Sequence, residues 1–398
     1  MSSAVLLTAY PGQSHDIFDY IFRGRMLAKF GASPLTVTPY TYRDEPFYSY
    51  IGWGQWIDAY GPVWEYISGA VALSGDGTLA SYVLRYRLLS VMLTGLCGAL
   101  IYVLVRAEAP QYAPAALLAW SWNPLLLIST ALAAHNDVLM IVFVLLGYRF
   151  FQRRRWIAGL LMLVLAAHVK ITGLLLLPVM CVWLIRRNGW RPATRTMTVA
   201  FGLAAPLSWL LYKPLGGWAT LPQNLRERAL LLYNSPAYVV YKELQKRWAW
   251  EEIDARHAAT VGANLLFLLI ALVLFAYLWR RDGDSQLWGF SLAITMAYLL
   301  VGAYWFHGWY VLWALALAAL LPSSSFTQMI MPLYSLGALL SNIATDFLAE
   351  RLDWRQRGWV AVTTLLLPPA IAVVVRLMAR SAGMGARSVD SDPERLST

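Results

Sequence analysis

Long apolar stretches alternate along the chain with short breaks that are basic, acidic or aromatic. Stretches close to the roughly 20 residues of a bilayer crossing cover 86–105, 114–133, 138–152, 196–212, 259–279, 287–304, 327–344 and 358–378. Shorter apolar pieces lie at 156–167, 171–185 and 309–321. These are expected to tilt, to merge across a kink or to enter part-way. Val63 to Leu73 is shorter still and reads as a helix lying on the outer surface. The pattern predicts an all-α, multi-pass integral membrane protein with about 10–12 transmembrane helices.

The breaks give the orientation. Arg106, Arg153 to Arg155, Arg186, Arg187, Arg191, Arg195, Arg280, Arg281, Arg376 and Arg380 all fall on one side when the spans are traced in order. Basic residues mark the cytoplasmic side. The opposite side receives residues 1–84, the turn at His135, Asn136 and Asp137, the stretch around Lys170, the loop 213–258, the turn at His307 and the segment 346–357, together with most of the carboxylates. Chemistry is therefore expected on the extracytoplasmic side of the membrane. Within 11–62, Pro11, Pro34, Pro39, Pro46 and Pro62, with several glycines, break any long helix and predict a loop with short interfacial helices. Met1 to Tyr10 reads as the last turns of a membrane helix whose first half is absent. The expected organisation is a truncated first-helix end plus an extracytoplasmic loop over 1–84, a transmembrane helical domain over 85–380, and a disordered cytoplasmic tail over 381–398.

Composition sharpens this picture. Hydrophobic residues make up 59% of the 398 and charged residues 14%, too few for a polar shell. The net charge of +10 sits in clusters between apolar runs, which is membrane topology and not a nucleic-acid surface, so no nucleic-acid partner is expected. Cys97 and Cys181 lie inside apolar runs and offer neither a disulfide framework nor a thiolate metal site. The 19 Trp, 22 Tyr and 14 Phe suit interfacial belts and a sugar- or lipid-facing cavity. No nucleotide-binding glycine loop, paired zinc histidines or nucleophile elbow is present.

Four clusters can carry chemistry. Asp16 and Asp19 lie three residues apart, on one face if the segment is helical, beside Arg23, Arg25 and Lys29; the motif closes at Tyr60, Gly61, Pro62 and Trp64. A carboxylate at the edge of a low-dielectric cavity can act as a general base; equally, both acids can be solvated and paired with Arg23 or Arg25. His135, Asn136 and Asp137 stand where two apolar runs meet and can contact substrate, cap the next helix, or do both. His168 and Lys170 interrupt an otherwise apolar stretch, and a lysine there needs water, a carboxylate or an anion, or else snorkels to the interface. His307 lies in an aromatic cluster from Tyr304 to Tyr310, and the loop 213–258 adds Arg226 and Arg228 beside Trp218, Tyr233, Trp248 and Trp250. Such rings stack on sugars and also sit on lipid headgroups.

Taken in order, Asp16-Ile-Phe-Asp-Tyr20, Gly24-Arg25-Met-Leu27, Gly31-Ala-Ser-Pro34, Tyr60-Gly61-Pro62, His135-Asn136-Asp137-Val-Leu-Met140 and Lys170 resemble the motifs of the bacterial polyprenol-phosphate-mannose-dependent α-(1→6)-mannopyranosyltransferases, of the GT-C superfamily. The similarity runs from about residue 10 to 320 and rests on the order of motifs that are individually unspecific. Asp19 and Leu35 depart from the family pattern. The resemblance implies a GT-C-like fold, a polyprenyl-phosphate donor carrying a hexose, with mannose first, an extracytoplasmic site and an inverting transfer to a glycan or glycolipid hydroxyl. It places the essential loop aspartate at Asp16, with Asp19 in reserve.

Chemistry supplies the remaining roles. A sugar on lipid phosphate already has a good leaving group, so one base and cations on the departing phosphate suffice. Lys170 with Arg25, Arg226 or Arg228 suits the phosphate, and Tyr60, Trp64, His135, Asn136, Asp137, His168 and His307 suit the sugar or acceptor. No cofactor is expected; a divalent metal is neither required nor excluded. The competing class is a membrane transporter or exporter of a lipid-linked substrate, which would place functional charges at the bilayer midplane and show two matching halves. A structural assembly subunit is a third class.

Overall fold

A computed structural model describes residues 5–12, 14–280, 286–321, 325–346 and 351–381. The expected disordered tail, from residue 382 on, and the first four residues lie outside them, as does Arg281.

The first loop is built as expected of its prolines and glycines. Helix α1 (Asp16–Phe30) ends at Gly31, whose φ of 62° closes the C-terminus in the left-handed conformation. Single 3₁₀ turns follow at Pro39–Tyr42 and Tyr48–Tyr50, then α2 (Pro62–Leu73) with proline in its first turn. One face of α2 packs on α1: a Cβ on Gly24 would stand 2.6 Å from the Ser68 carbonyl oxygen, and Ser68 Oγ donates to the Tyr20 carbonyl at 2.9 Å. The buried face of α2 includes Glu65.

The bundle then begins with α3 (Leu79–Glu108), capped by the Thr78 side chain. It continues through α4 (Ala113–Ser121), α5 (Pro124–Leu127), α6 (Asp137–Gln152), α7 (Trp156–Ala167), α8 (Leu177–Asn188) and α9 (Trp190–Tyr212). Two short helices, α10 (Thr220–Arg228) and α11 (Pro236–Arg247), occupy the long loop, followed by α12 (Glu252–Arg280), α13 (Gln286–Ala297), α14 (Val311–Ala319), α15 (Ser325–Asp346) and α16 (Trp354–Ser381). No strand occurs among the described residues beyond a single bridge pairing Tyr233 with Trp305.

The helices fall where hydropathy puts them, but most are shorter than a crossing. Among the described residues four are long and apolar enough to span, Leu79–Glu108, Ile171–Asn188, Glu252–Arg280 and Trp354–Met378; a fifth span results if the pair bent by 53° at residues 122–123 is counted as one. The shortfall against the expected count has a local cause. The stretches 114–133 and 287–304 each end in a π-helical turn, Ile128–Leu132 and Tyr298–Gly302, which shortens their regular helices. Irregular backbone is tolerated at membrane depth where protein covers it or where it lines a cavity. The core is centred on α6 and on α14, all of whose residues from Val311 to Ala319 are buried. On α12, by contrast, Leu265, Leu269, Leu272 and Val273 stand exposed, as do Leu367, Ile371 and Val374 on α16. Apolar faces of this extent need lipid around them. This is an all-α, multi-pass membrane protein.

The helices also sort their ends into two poles. α6 runs from Asp137 to the arginines 153–155, α7 returns to His168 and Lys170, α8 leaves again to Arg186 and Arg187, and α9 comes back to Tyr212. The histidines, the lysine and the first-loop acids gather at one pole, and the arginine clusters at the other.

Candidate active site

At the first pole lies a cavity of about 340 Å³. The first loop makes one wall, through Asp16, Asp19, Tyr20, Trp53, Trp56 and Tyr60. The 212–231 region, the segment 167–172 carrying Lys170 and the turn 302–310 make the others. Two contacts hold these walls together. Arg228 Nη2 donates to the Ile57 carbonyl at 2.6 Å, and the Asn224 amide donates to the Asp58 carbonyl. Across the bridge at Tyr233, the Tyr233 amide donates to the Tyr304 carbonyl and the Phe306 amide to the Tyr233 carbonyl, both at 2.9 Å.

The spacing of Tyr60, Gly61 and Pro62 now has a physical reason. Gly61 N–H donates to the Val169 carbonyl at 3.0 Å and Val63 N–H to the His168 carbonyl at 3.0 Å, so the start of α2 is sewn onto the segment carrying Lys170. A Cβ on residue 61 would stand 2.2 Å from the His168 carbonyl oxygen, which leaves glycine as the residue that fits.

The two first-loop acids face different surroundings. The Asp16 side chain is 15% exposed, with Oδ2 3.5 Å from His135 Nδ1. Burial works to raise its carboxyl, but the contact with His135 and the fields of His135 and Lys170 outweigh it and hold the group below its ordinary range. Asp19 is buried and accepts the backbone N–H groups of Gly52 at 3.0 Å and Trp53 at 3.2 Å, with Arg23 4.0 Å away. Burial pushes its carboxyl up to about 7, against the opposing pull of Arg23. Asp19 thus ties down the loop that carries Trp53 and Trp56, while Asp16 stands at the cavity with a histidine behind it.

That histidine belongs to a three-ring stack. Trp309 lies 3.9 Å from His135 and 4.3 Å from His307, within 16° and 12° of parallel. Burial drives the His307 imidazole down to about 3, so it is neutral at neutral pH, with one ring nitrogen able to donate and one to accept. Next to the stack, Asp137 Oδ1 accepts from Lys170 Nζ at 2.9 Å and from Trp313 Nε1 at 2.7 Å. The Lys170 ammonium sits 4.3 Å from the centre of the Tyr310 ring, 5.3 Å from that of Trp313 and 5.7 Å from that of Tyr60. Asn136 is buried with no hydrogen-bond partner for its side-chain amide. The residue before this triplet, Ala134, has a φ of 55°, a left-handed conformation that alanine rarely adopts.

The expected site residues therefore divide. Asp16, Asp19, Tyr60, Lys170, Arg228 and His307 line the cavity. His135 and Asp137 stand directly behind it through Asp16 and Lys170, and Asn136 is the buried residue between them. The rest lie elsewhere. Arg25 pairs with Glu45 at 2.8 Å and covers the Phe47 ring; Trp64 packs edge-on against Tyr20; His168 Nε2 meets Ser208 Oγ at 2.7 Å; and Arg226 is exposed.

At this pole Asp58, Glu65 and Trp53 were not singled out from sequence, and Arg23 and Trp305 were named only as neighbours of the candidate residues. Arg23 is buried 3.6 Å from Asp58, and Glu65 is fully buried with neither carboxyl oxygen hydrogen-bonded. Burial first, and Asp58 second, push the Glu65 carboxyl well above its usual range, so it holds its proton. Trp53 and Trp305 meet edge-on at 5.7 Å and face the same cavity. The Arg23–Asp19 spacing of four was visible in the sequence, but Asp58 and Glu65 become neighbours only when the loop folds back. Among the described residues no group of three or more His, Cys, Asp or Glu side chains is arranged to hold a metal ion.

Residues 3–186 match the family described as alpha-(1->6)-mannopyranosyltransferase, N-terminal domain. That segment, just under half of the chain, is similar to this family's N-terminal domain. It contains Asp16, Asp19, Tyr60, the 135–137 triplet and Lys170, whereas Arg228 and His307 lie beyond it. The chain is similar to alpha-(1->6)-mannopyranosyltransferase A of Mycobacterium tuberculosis, 26% identical over 340 residues that cover 79% of this chain and 63% of the relative. It is also 26% identical over 185 residues to alpha-(1->6)-mannopyranosyltransferase A of Corynebacterium glutamicum, covering 45% of this chain and 36% of the relative. The matches thus span less than two thirds of the length of either relative.

Proposed function

We propose that this protein is a membrane mannosyltransferase that moves a hexose, mannose first among candidates, from a polyprenyl-phosphate donor to a hydroxyl of a glycan or glycolipid. The reaction inverts the anomeric centre and takes place on the extracytoplasmic side, at the pole opposite the arginine clusters. The observation that carries the reading is the position of Asp16, an ionised carboxylate on the wall of a deep cavity whose other walls bear cations and tryptophans.

In this scheme the acceptor hydroxyl binds against Asp16 and gives up its proton to that carboxylate as the oxygen attacks the anomeric carbon. The bond from the anomeric carbon to the phosphate oxygen breaks, and lipid phosphate departs with one more negative charge. Lys170 and Arg228, which both line the cavity, face that charge. Asp137 and the three rings hold Lys170 in place, and His135 holds Asp16. Trp53, Trp56 and Trp305 offer faces on which sugar rings stack. The first wall and the Lys170 segment come from the family-matched part of the chain, which supports a shared reaction for this half of the site.

The donor class is tested with purified protein, an α-mannoside acceptor, and either polyprenyl-phosphate [¹⁴C]mannose or GDP-[¹⁴C]mannose. Label is expected in the acceptor from the lipid donor alone. Transfer from the nucleotide sugar in the absence of lipid phosphate would contradict the reading. A transporter or exporter without transferase activity is the second reading, and it would leave the acceptor unlabelled with both donors.

A further inference from the structure

A second cavity of about 350 Å³ opens at the other pole, where α3 and α6 end and α7 begins. Arg149, Arg153, Arg154 and Arg187 line it together with Trp156, Trp183 and Trp288. We propose that this cavity is a binding site for the phosphodiester headgroup of an anionic phospholipid.

Charge is the first argument. The guanidinium-bearing side chains of Arg149, Arg153 and Arg154 line one partly enclosed space, and Glu108, whose carboxylate accepts the Gln152 amide at 2.8 Å, is the single acid among the described residues lining it. Like charges gathered beside low-dielectric protein repel one another unless an anion occupies the space between them. Guanidinium groups match phosphate oxygens in pairs, which a scattering of surface lysines does not do.

The backbone points the same way. α7 starts at this cavity with no acidic residue in its first turn and no side-chain cap, so the partial positive charge of a helix N-terminus adds to the arginines. The turn leading into it holds Arg154 at a φ of 55°, with Arg154 N–H donating to the Phe151 carbonyl at 2.9 Å and Arg155 N–H to the Phe150 carbonyl at 2.8 Å. This tight turn brings Arg153 and Arg154 to the rim of the cavity.

The aromatic lining favours a lipid as the source of the phosphate. Trp156 and Trp183 pack 5.6 Å apart, and the Arg187 guanidinium lies 5.2 Å from the Trp183 ring centre. Tryptophans beside arginines at helix ends mark the headgroup level of a bilayer. About one turn back along α3 from the lining residue Ala107, Val103 is exposed and provides an apolar surface for an acyl chain. Basic pockets between transmembrane helices recognise anionic headgroups in this way.

The test uses the full chain, purified and exchanged into phosphatidylcholine, then offered phosphatidylglycerol, further phosphatidylcholine or inorganic phosphate. Retained lipid is read by native mass spectrometry. The expected result is phosphatidylglycerol retained in preference to phosphatidylcholine, undisturbed by equimolar inorganic phosphate. Retention should fall at least about tenfold in Arg149→Gln/Arg187→Gln and in Arg153→Gln/Arg154→Gln, tenfold being the scale of one lost charge-assisted contact. The second pair is exposed on a turn, so it reports even if the first fails to fold. Arg195→Gln, an exposed arginine at the same pole outside the cavity, should leave retention unchanged. Undiminished retention in Arg153→Gln/Arg154→Gln, or an equal loss in Arg195→Gln, would overturn the site. Displacement by equimolar inorganic phosphate would overturn the lipid as its occupant. Because the readout is binding, the result does not depend on whether sugar transfer is observed.

Discussion

Asp16 and Asp19 lie one helical turn apart, yet their surroundings give them opposite acid–base character. With its carboxyl held below the ordinary range, Asp16 is ionised throughout the neutral range, so the acid limb of kcat/KM for sugar transfer should lie below the ordinary carboxylate range. Asp19 works in the other sense. Its folded-state value of about 7 exceeds the unfolded value of about 3.9, so the folded protein binds this proton more tightly. Its contribution to stability is complete at low pH and is lost as pH rises through about 7. The unfolding midpoint in detergent should accordingly decline between pH 5 and 8, and Asp19→Asn should flatten that slope. Lys170 belongs to the same scale. Replacing it with alanine strands the buried Asp137 carboxylate, and breaking a buried pair from one side costs about 3–5 kcal/mol, so Lys170→Ala should unfold at markedly lower temperature as well as lose transfer.

At the scale of elements, the site is assembled where regular helices fail. The π-turn Ile128–Leu132 and the left-handed Ala134 deliver His135, Asn136 and Asp137, while the π-turn Tyr298–Gly302 delivers the stack around Trp309. Ala134→Gly should relieve the strained φ and raise stability by up to about 1 kcal/mol. Gly61→Ala should do the reverse, because its Cβ meets the His168 carbonyl, at a cost of about 1–3 kcal/mol. Chemical denaturation of both variants would check the pair. These elements also show what the sequence discloses. The apolar periods fixed the positions of most helices, and Pro62 the start of α2, because hydropathy and proline act locally. The π-turns, the burial of Glu65 and the separation of Asp16 from Asp19 depend on which segments fold back on the first loop, and local pattern does not encode that. His168 and Trp64 were conspicuous in sequence as polar or aromatic marks in apolar runs, but the fold turns both away from the cavity.

Seen whole, the molecule separates two chemistries along its helices. Acids, histidines and Lys170 converge on one cavity, arginines on another, and α6, about 24 Å long at 1.5 Å per residue, connects them. The sequence made this polarity legible through the arginine clusters alone. It could not show that the loop 213–258 would fold over the first loop, since Arg228 and Asn224 bond to backbone carbonyls that carry no side-chain signature. The central claim is that Asp16 is the base in a transfer from lipid-linked sugar. Its most direct test is a side-by-side measurement of single-turnover mannose transfer from polyprenyl-phosphate mannose by wild type, Asp16→Asn and Asp19→Asn, each with its unfolding midpoint. Transfer should fall by about 10²–10⁴-fold in Asp16→Asn at an unchanged midpoint, and survive in Asp19→Asn. Undiminished transfer by a well-folded Asp16→Asn would contradict the account.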